Sequence, residues 1–524
     1  MYNSTEGIAA MLLVFLCINL NAQSSSYHTN RLLVSFKSGV SETAKDNLQD
    51  AYSANEVYRF PASDIRVWEI PSFPINFSYL GQNIQLVDIN TVNQSARQNA
   101  EVEGVDYDYL MEFNLNKSNE DNQNPGASFD CAGSYNVITA SGNHPTKVSI
   151  LDTGFLPNDA DDGSDYYFDI EGHSGFNYID NSTNYNDDNE HGTHIASIVN
   201  HVSHSASAID PVNSYTSYFM QKAFNQDGNA YLSDVIKAIG ESILNGVNIL
   251  NFSFSYKAPE PIGYKTPMQS VIEAAEAANI LIVAAAGNDL RVDIDNSIIK
   301  NYPASFDYPN ILSVASVNCN GELSTFSNYG QTSIDIAAPG EFIEGAGLAS
   351  EITLLSGTSQ ATAIVSGIAN SLASHLSQFD YDKVKCAIIS SAEVQPSLEG
   401  KLLTAGIVDA NGALDMLDNC SNIESDSHLG FARKAKNTTS SIFKVFPNPA
   451  SATVNVNFNL TKNENYTYQL IDMSGKVILS GTERGFNGSN ALQVSIGYSI
   501  QNGLYILRLQ TSLSESQQRI SILR

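Results

Sequence analysis

Apolar positions along the chain change their spacing twice, and those changes divide it into three parts. From Arg31, "RLLVSFKSGV" reads as a strand and turn, "SETAKDNLQDAY" as a helix capped by Ser41 with Glu42 and Asp46 early, and "DIRVWEIP" as a second strand. A polar helix around Asp88 to Asn99 leads to the strand-like "VEGVDYDYLMEF". The order βαβαβ predicts a small α+β unit. The stretch "NKSNEDNQNPG", residues 116–126, has no apolar periodicity and several loop formers, so it predicts an exposed segment that is easily cut. From about residue 130 to Cys420, short apolar strands alternate with helical segments such as "HGTHIASIVNHV", "LSDVIKAIGESILNG" and "MQSVIEAAEAAN". Ile280 to Ala285 is apolar without alternation, the pattern of a strand covered on both faces. The expected fold here is α/β, a mostly parallel sheet with helices on both faces, whose reactive groups collect at the strand ends. Residues 421–442 are polar and patternless, a linker. Beyond them the period becomes two: Val454, Val456, Phe458 and Leu460 alternate with polar positions, and "YTYQLIDMSGKVILSG" predicts a hairpin turning at Ser474-Gly475. The tail reads as a small β-sandwich.

Length and charge narrow the picture. A chain of 524 residues, 42% of them hydrophobic, is globular and too long for one core. Its 56 acidic against 27 basic side chains give a net charge of −29, which repels phosphate backbones and excludes nucleic acid as a natural partner. The apolar run Ile8 to Leu20 followed by Ala22 has the length of a secretory signal rather than of a membrane span, although Glu6 stands where basic residues are usual. Cleavage near Ala22 or Gln23 removes Cys17 and leaves Cys131, Cys319, Cys386 and Cys420, enough for two disulfides in three possible connectivities. None of these cysteines has the close spacing of a zinc site.

Taken singly, the polar residues of the middle part have ordinary uses. Asp152 in "LDTG" suits a turn, Asn288 in "AAAGND" another, and Ser359 in "LSGTSQATA" a helix N-cap. His191 and His194 in "NEHGTHIAS" stand three apart without the third ligand of the zinc-protease pattern. Together they meet a chemical specification: a hydroxyl nucleophile, an imidazole base, a carboxylate to fix its tautomer and a donor for a developing oxyanion. A non-catalytic scaffold has no physical need for all four.

The chain order Asp, His, Asn, Ser and the strings "VSILDTG", "HGTHIASIV", "VAAAGN" and "LSGTSQATA" resemble the subtilisin-like serine proteases, or subtilases, over roughly residues 130–420. "NILNFSFS", "YPASFDYPNILSVASVN", "STFSNYG" and "IDIAAPG" follow in family order. The resemblance implies a secreted serine endopeptidase acting on protein or peptide substrates, with Ser359 as nucleophile, His191 as base, Asp152 as its orienting carboxylate and Asn288 as oxyanion donor. It implies substrate contacts at Ser253, Phe254, Ser255, Ala285, Ala286 and Gly287. Three departures stand out: Glu190 where the family usually has glycine, Gln-Ala-Thr-Ala after Ser359, and Ser255-Tyr256 in place of a frequent glycine pair, where side chains reshape the substrate site.

The acidic runs 158–165 and 186–190 offer the oxygens that hard cations prefer. They lack EF-hand spacing, solvated acidic loops are the commoner use of such runs, and only the resemblance keeps a structural calcium open; no other cofactor is implied.

The flanking parts extend the resemblance. Residues 27–115 are similar to an inhibitor-like prodomain, with an unrelated domain as the alternative. The tail, through "VFPNPAS", "YQLIDMSGKVILSG" and "GLYILRL", resembles the C-terminal sorting domain of the type IX (Por) secretion system, with a carbohydrate- or surface-binding sandwich as the alternative. The expected layout is a signal peptide (1–22), prodomain (23–118), subtilisin-like catalytic domain (119–420), linker (421–442) and sorting domain (443–524). The expected partners are substrate, the chain's own prodomain and the outer-membrane secretion machinery, with the protein secreted and acting as a monomer.

Overall fold

Consecutive apolar residues in the N-terminal part have partners on both sides of a sheet. The computed structural model describes residues 27–60, 63–71, 89–112, 145–157, 170, 172–204, 216–261, 264–348 and 351–421. In the tail it describes 444–446, 450, 453–460, 462–472, 476–485, 488–497, 500–501, 503–511 and 515–522. The chain divides into two units, Met1–Ile423 and Glu424–Arg524. The expected signal segment, the cutting stretch, acidic run 158–165 and the linker beyond Ser421 lie outside the described residues.

The first unit begins with β1 (Tyr27–Phe36), α1 (Glu42–Ala51), β2 (Asn55–Arg59), β3 (Ile65–Glu69), α2 (Ile89–Arg97) and β4 (Val102–Glu112). Ser41 caps α1 by accepting from the Ala44 N–H at 3.2 Å. The order is βαββαβ, one strand more than expected: the extra β2, "NEVYR", is a half-exposed strand at the sheet edge, too polar to show in the sequence pattern. Leu32, Val34 and Phe36 pack with Trp68, Val92 and Ala96 on the helix side. On the other face Leu33, Ile65, Val67 and Met111 join a core that also takes in Val235, Ile236 and Ile272.

The rest of the first unit runs β5 (Thr146–Asp152), β6 (His173–Asn177), α3 (His191–His204), β7 (Thr216–Lys222), β8 (Asn229–Tyr231), α4 (Leu232–Leu244), β9 (Ile249–Phe252) and β10 (Tyr256–Pro259). It continues with α5 (Pro267–Ala277), β11 (Leu281–Ala285), β12 (Ile299–Tyr302), β13 (Ile311–Val317), β14 (Ile336–Pro339), β15 (Ile343–Ala346) and β16 (Ile352–Leu355). It ends with α6 (Thr358–His375), α7 (Tyr381–Ser390), β17 (Glu393–Val394), β18 (Gly406–Ile407) and α8 (Ala410–Leu417).

Nine of these strands form one sheet in the order β17-β18-β14-β13-β11-β9-β5-β7-β6, parallel throughout except at β17–β18. Val148 and Ile150 of β5 meet Ile195, Val199 and Ile364 from α3 and α6 on one face. Leu151, Leu250 and Ile282 meet Val235, Ile236 and Ile272 from α4 and α5 on the other. The sheet is therefore covered on both faces, as the apolar runs predict. The chain builds outward from β5 in both directions, through β7 on one side and β9 on the other, so a crevice opens at its carboxyl end.

A disulfide joins Cys386 on α7 to Cys420 just past α8, which settles one pair of the open connectivities. Cys319 is also disulfide-bonded, its partner lying outside the described residues.

The tail unit holds β19 (Lys444–Phe446), β20 (Thr453–Leu460), β21 (Glu464–Asp472), β22 (Val477–Gly485), β23 (Gly488–Ser495), β24 (Gly503–Gln510) and β25 (Glu515–Ile522). Sheets β19-β20-β23 and β22-β21-β24-β25 close on Val454, Val456, Phe458, Leu470, Leu507 and Ile520. This is the expected small sandwich, and β21 pairs antiparallel with β22 as the expected hairpin requires, its turn at Ser474-Gly475 lying outside the described residues.

The N-terminal sheet extends beyond its own strands: β4 pairs antiparallel with β8, Leu110 opposite Tyr231 and Met111 opposite Ala230. Helix α4 has no side-chain cap of its own, and Asp108 of β4 supplies one, accepting from Ser233 N–H at 2.8 Å and Ser233 Oγ at 2.9 Å. Nearby, Tyr109 stacks on Tyr256 at 6.2 Å. Asp106 is buried, with Arg97 at 3.9 Å.

Burial pushes the Asp106 carboxyl up to about 7 against the opposing Arg97 charge, and pushes Asp108 up to about 6 against its Ser233 hydrogen bonds. A proton held more tightly in the folded state stabilises it fully below the ordinary carboxyl pKa, and that contribution is lost as pH rises through these raised values. Trp68, the only tryptophan in the chain, is fully buried in the N-terminal part and reports its unfolding. The denaturant midpoint followed by Trp68 fluorescence is expected to fall from pH 5 to pH 8, and Asp106→Asn to flatten the upper part of that fall. An unchanged slope in the variant would remove Asp106 as its source.

Candidate active site

Asp152 is the last residue of β5 and His191 the first of α3. Both are buried, and Asp152 Oδ1 lies 2.7 Å from His191 Nδ1. A carboxylate at that distance accepts the Nδ1 proton and leaves Nε2 as the basic nitrogen. Asp152 Oδ1 also accepts from Thr153 N–H at 2.8 Å, which fixes the carboxylate plane.

The two loops are tied together by Asp187, which the sequence offered only as one carboxylate of the acidic run 186–190. Its Oδ1 accepts from Thr153 Oγ1 at 2.8 Å and from the Asn189 and Glu190 N–H groups at 2.9 and 3.2 Å. Its Oδ2 accepts from Thr193 N–H and Thr193 Oγ1 at 2.8 and 2.7 Å. Thr153 Oγ1 in turn accepts from Gly192 N–H at 2.8 Å. Thr153 and Thr193 thus share one buried carboxylate, and Gly192 joins them through Thr153 Oγ1. In this use of the run 186–190, Asp187 holds its own loop and Asp188 pairs with Lys222 at 2.6 Å. Lys222, almost fully buried, also donates to the Thr153 carbonyl at 2.5 Å. Among the described residues no cluster of three or more His, Cys, Asp or Glu is arranged for a metal. The clue to Asp187 was the acidic run itself, since carboxylates just ahead of a helix favour its positive end.

His194 belongs to the structure rather than to a metal. Its Nε2 faces the carbonyls of Ile343 and Thr353 at 3.2 and 3.1 Å and therefore carries a proton. Burial, with the adjacent His191 second, pushes it down to about 3, so it stays neutral.

Ser359 lies in the first turn of α6, but the cap is Gly357, held by its N–H to the Gly340 carbonyl at 2.8 Å. The cap reading of Ser359 is therefore corrected: its hydroxyl donates to the Ser253 carbonyl at 2.7 Å, and Ser253 Oγ donates back to the Ser359 carbonyl at 3.0 Å. Asn288 follows the carboxyl end of β11. Its Oδ1 accepts from Thr358 N–H and Thr358 Oγ1, each at 3.0 Å, which turns its Nδ2 toward Gly357. A Cβ added at Gly357 would come within 3.3 Å of that Nδ2. The Asn288 amide thus sits over the start of the helix that bears Ser359.

The expected substrate-contact residues divide. Ser253 and Ser255 follow β9, Ser253 in contact with Ser359, whereas the Phe254 ring packs inward against Phe224 and Phe252, both at 5.0 Å. Ala285 and Ala286 are buried, so they have backbone rather than side chains to offer. Gly287 has φ +97°, and Ser255 Oγ lies 3.2 Å from where its Cβ would be. Tyr256, expected to reshape the site, is buried between Tyr302 and Tyr109. Beside Gly287 the Asp289 carboxylate accepts from Asn301 Nδ2 and Asn328 Nδ2 at 2.8 and 2.9 Å and pairs with Lys257 at 2.5 Å. Burial works to raise the Asp289 pKa, yet these hydrogen bonds hold it below the usual carboxylate range.

Residues 143–431 match the model of the subtilase family, and residues 444–523 match a secretion system C-terminal sorting domain. The chain is 30% identical over 269 residues to a thermostable alkaline protease of Halalkalibacterium halodurans, covering 51% of this chain and 67% of that one. It is 27% identical over 363 residues to a thermophilic serine proteinase of a Bacillus species, covering 68% and 81%. Thermitase of Thermoactinomyces vulgaris is 30% identical over 240 residues, covering 46% and 78%. Among solved structures, the epidermin leader peptide processing serine protease of Staphylococcus aureus has the same fold, with a TM-score of 0.54 and 19% identity over 76% of this chain and 99% of that one.

The approach of the Asp152 and His191 loops depends on Gly192, where a Cβ would stand 2.2 Å from the Gly154 carbonyl oxygen. Gly192→Ala is therefore expected to destabilise the protein by about 1–3 kcal/mol in calorimetry. It should also abolish the low-field proton NMR resonance of the Asp152–His191 hydrogen bond. Retention of that resonance with unchanged stability would contradict the close-approach argument.

Proposed function

The chain belongs to the subtilase family of serine-type endopeptidases, and on that premise we propose that it hydrolyses peptide bonds of proteins through Ser359, His191, Asp152 and Asn288 and matures by its own action. The observation that carries this reading is the buried 2.7 Å contact of Asp152 with His191 at the carboxyl end of the central strand. In the first step the Ser359 hydroxyl turns from the Ser253 carbonyl to His191 Nε2, gives up its proton and attacks the scissile carbonyl carbon. Asp152 holds the imidazole tautomer and stabilises the imidazolium. The oxyanion receives the Ser359 N–H at the positive end of α6 and the Asn288 Nδ2–H. The imidazolium then gives its proton to the leaving amine as the C–N bond breaks, and water, deprotonated by His191, releases the acyl group from Ser359.

The proposed layout is a signal peptide (1–22), an inhibitory N-terminal unit (23–118), the catalytic domain (119–420), a linker (421–442) and the sorting domain (443–524). Support for inhibition comes from β4, which runs as an added strand along β8 and caps α4 through Asp108. The C-terminal sorting domain makes the product a protein of the cell exterior or cell surface. Family members often bind structural calcium, and such an ion remains a proposal for the catalytic domain.

Wild type and Ser359→Ala, expressed as full chains, are expected to differ completely: wild type digests casein and releases its N-terminal unit on a gel, the variant does neither. Equal processing and digestion would overturn Ser359 as nucleophile. Asn288→Ala should lower kcat by about 10²- to 10³-fold with little change in KM, the loss known for removing such a donor in subtilisin itself.

A further inference from the structure

The residue before His191 combines an unfavourable backbone with a specific side-chain contact. Glu190 has φ +92°, in the region that favours glycine, although the resemblance makes glycine the usual residue there. Its carbonyl accepts a helical hydrogen bond from His194 N–H at 3.0 Å, so this backbone sets the direction in which α3 and His191 leave the loop. Its carboxylate Oε1 accepts from Thr353 Oγ1 at 2.9 Å. Thr353 lies on β16, the strand that runs on to Gly357 and Ser359. Three further hydrogen bonds join the same hairpin to α3: His194 Nε2–H to the Ile343 and Thr353 carbonyls, and Ala346 N–H to Ser197 Oγ at 2.8 Å. A strained backbone persists only where surrounding contacts over-determine it, and the Thr353 bond is the contact that only a side chain at 190 supplies.

We propose that Glu190 is a positioning residue of the proteolytic site: its bond to Thr353 couples the placement of His191 to the strand that delivers Ser359. The proposal rests on the reading of His191 as general base. Glycine at 190 relieves the backbone but removes the tie nearest His191, leaving only those through His194 and Ser197 farther along α3, so the imidazole and the hydroxyl meet in register less often. The loss appears in the chemical step rather than in substrate binding, because neither Glu190 nor Thr353 is assigned a substrate contact.

Full-length wild type, Glu190→Gly, Glu190→Gln, Thr353→Val and the double variant Glu190→Gly/Thr353→Val are compared for kcat and KM on a chromogenic peptide. Rates are normalised to sites titrated with a fluorophosphonate, and Ser359→Ala is run alongside. Glu190→Gly and Thr353→Val should each lower kcat about tenfold, well short of the hundredfold that a 1 Å misplacement brings, with KM within about twofold of wild type. The double variant should fall no further, since both changes break one tie. Glu190→Gln keeps an acceptor oxygen for the Thr353 hydroxyl and should stay within about twofold of wild type. Wild-type kcat in Glu190→Gly, equal impairment of Glu190→Gln and Glu190→Gly, or additive losses in the double variant would each overturn the proposal. Turnover by Ser359→Ala would instead overturn the reading of the site on which it rests.

Discussion

The Asp187 carboxylate accepts hydrogen bonds from the Thr153 and Thr193 hydroxyls and from three backbone N–H groups, those from Thr153 and Thr193 being buried. Each donor of Thr153 and Thr193 would otherwise lie buried without this partner, at a cost of about 1–3 kcal/mol apiece. Because the donors belong to the turn after β5 and to the start of α3, satisfying them brings Asp152 and His191 to one place. The sheet supplies the strand end and the helix supplies the first turn, but neither alone specifies their separation. That separation is set by a residue with no assigned part in the chemistry.

The same economy recurs on the N-terminal side. Helix α4 begins at a residue with no capping side chain, and the missing acceptor comes from Asp108, 125 residues earlier in the chain. One face of the N-terminal sheet is finished by its own helices, the other only by α4 and α5. The N-terminal part thus borrows half of its core from α4 and α5 and lends α4 its cap, so each assembles best in the other's presence.

How much of this was legible in the sequence depends on how local each determinant is. Asp152, His191, Asn288 and Ser359 sit in short strings whose neighbours dictate a strand end or a helix start, so order and type sufficed to find them. The parallel sheet was legible from unbroken apolar runs such as Ile280 to Ala285. The cap of α6 was not, because "SGTS" offers a capping residue at nearly every position, and the choice of Gly357 depends on the distant Gly340 carbonyl. Strand β2 was missed because an edge strand can be mostly polar and still complete a sheet. Phe254 was expected at the substrate site on motif alone, whereas its ring follows the apolar demand of Phe224 and Phe252. The Glu190 backbone conformation and its bond to Thr353 span 163 residues, beyond the reach of any local pattern.

The Cys386–Cys420 bridge has a consequence for the life of the protein outside the cell. It closes a separation of 34 residues, which in the chain-entropy account is worth about 4 kcal/mol against unfolding. Its second cysteine is nearly the last residue of the first unit, so α8 is stapled into place just where the chain leaves for the tail. A tug on the polypeptide, or a nick anywhere past Ser421, stops at that covalent knot and cannot peel α8 away from α7. The exit point of the chain thus behaves as a hemmed edge: whatever happens to the tail, the part that bears Ser359 does not fray from this end.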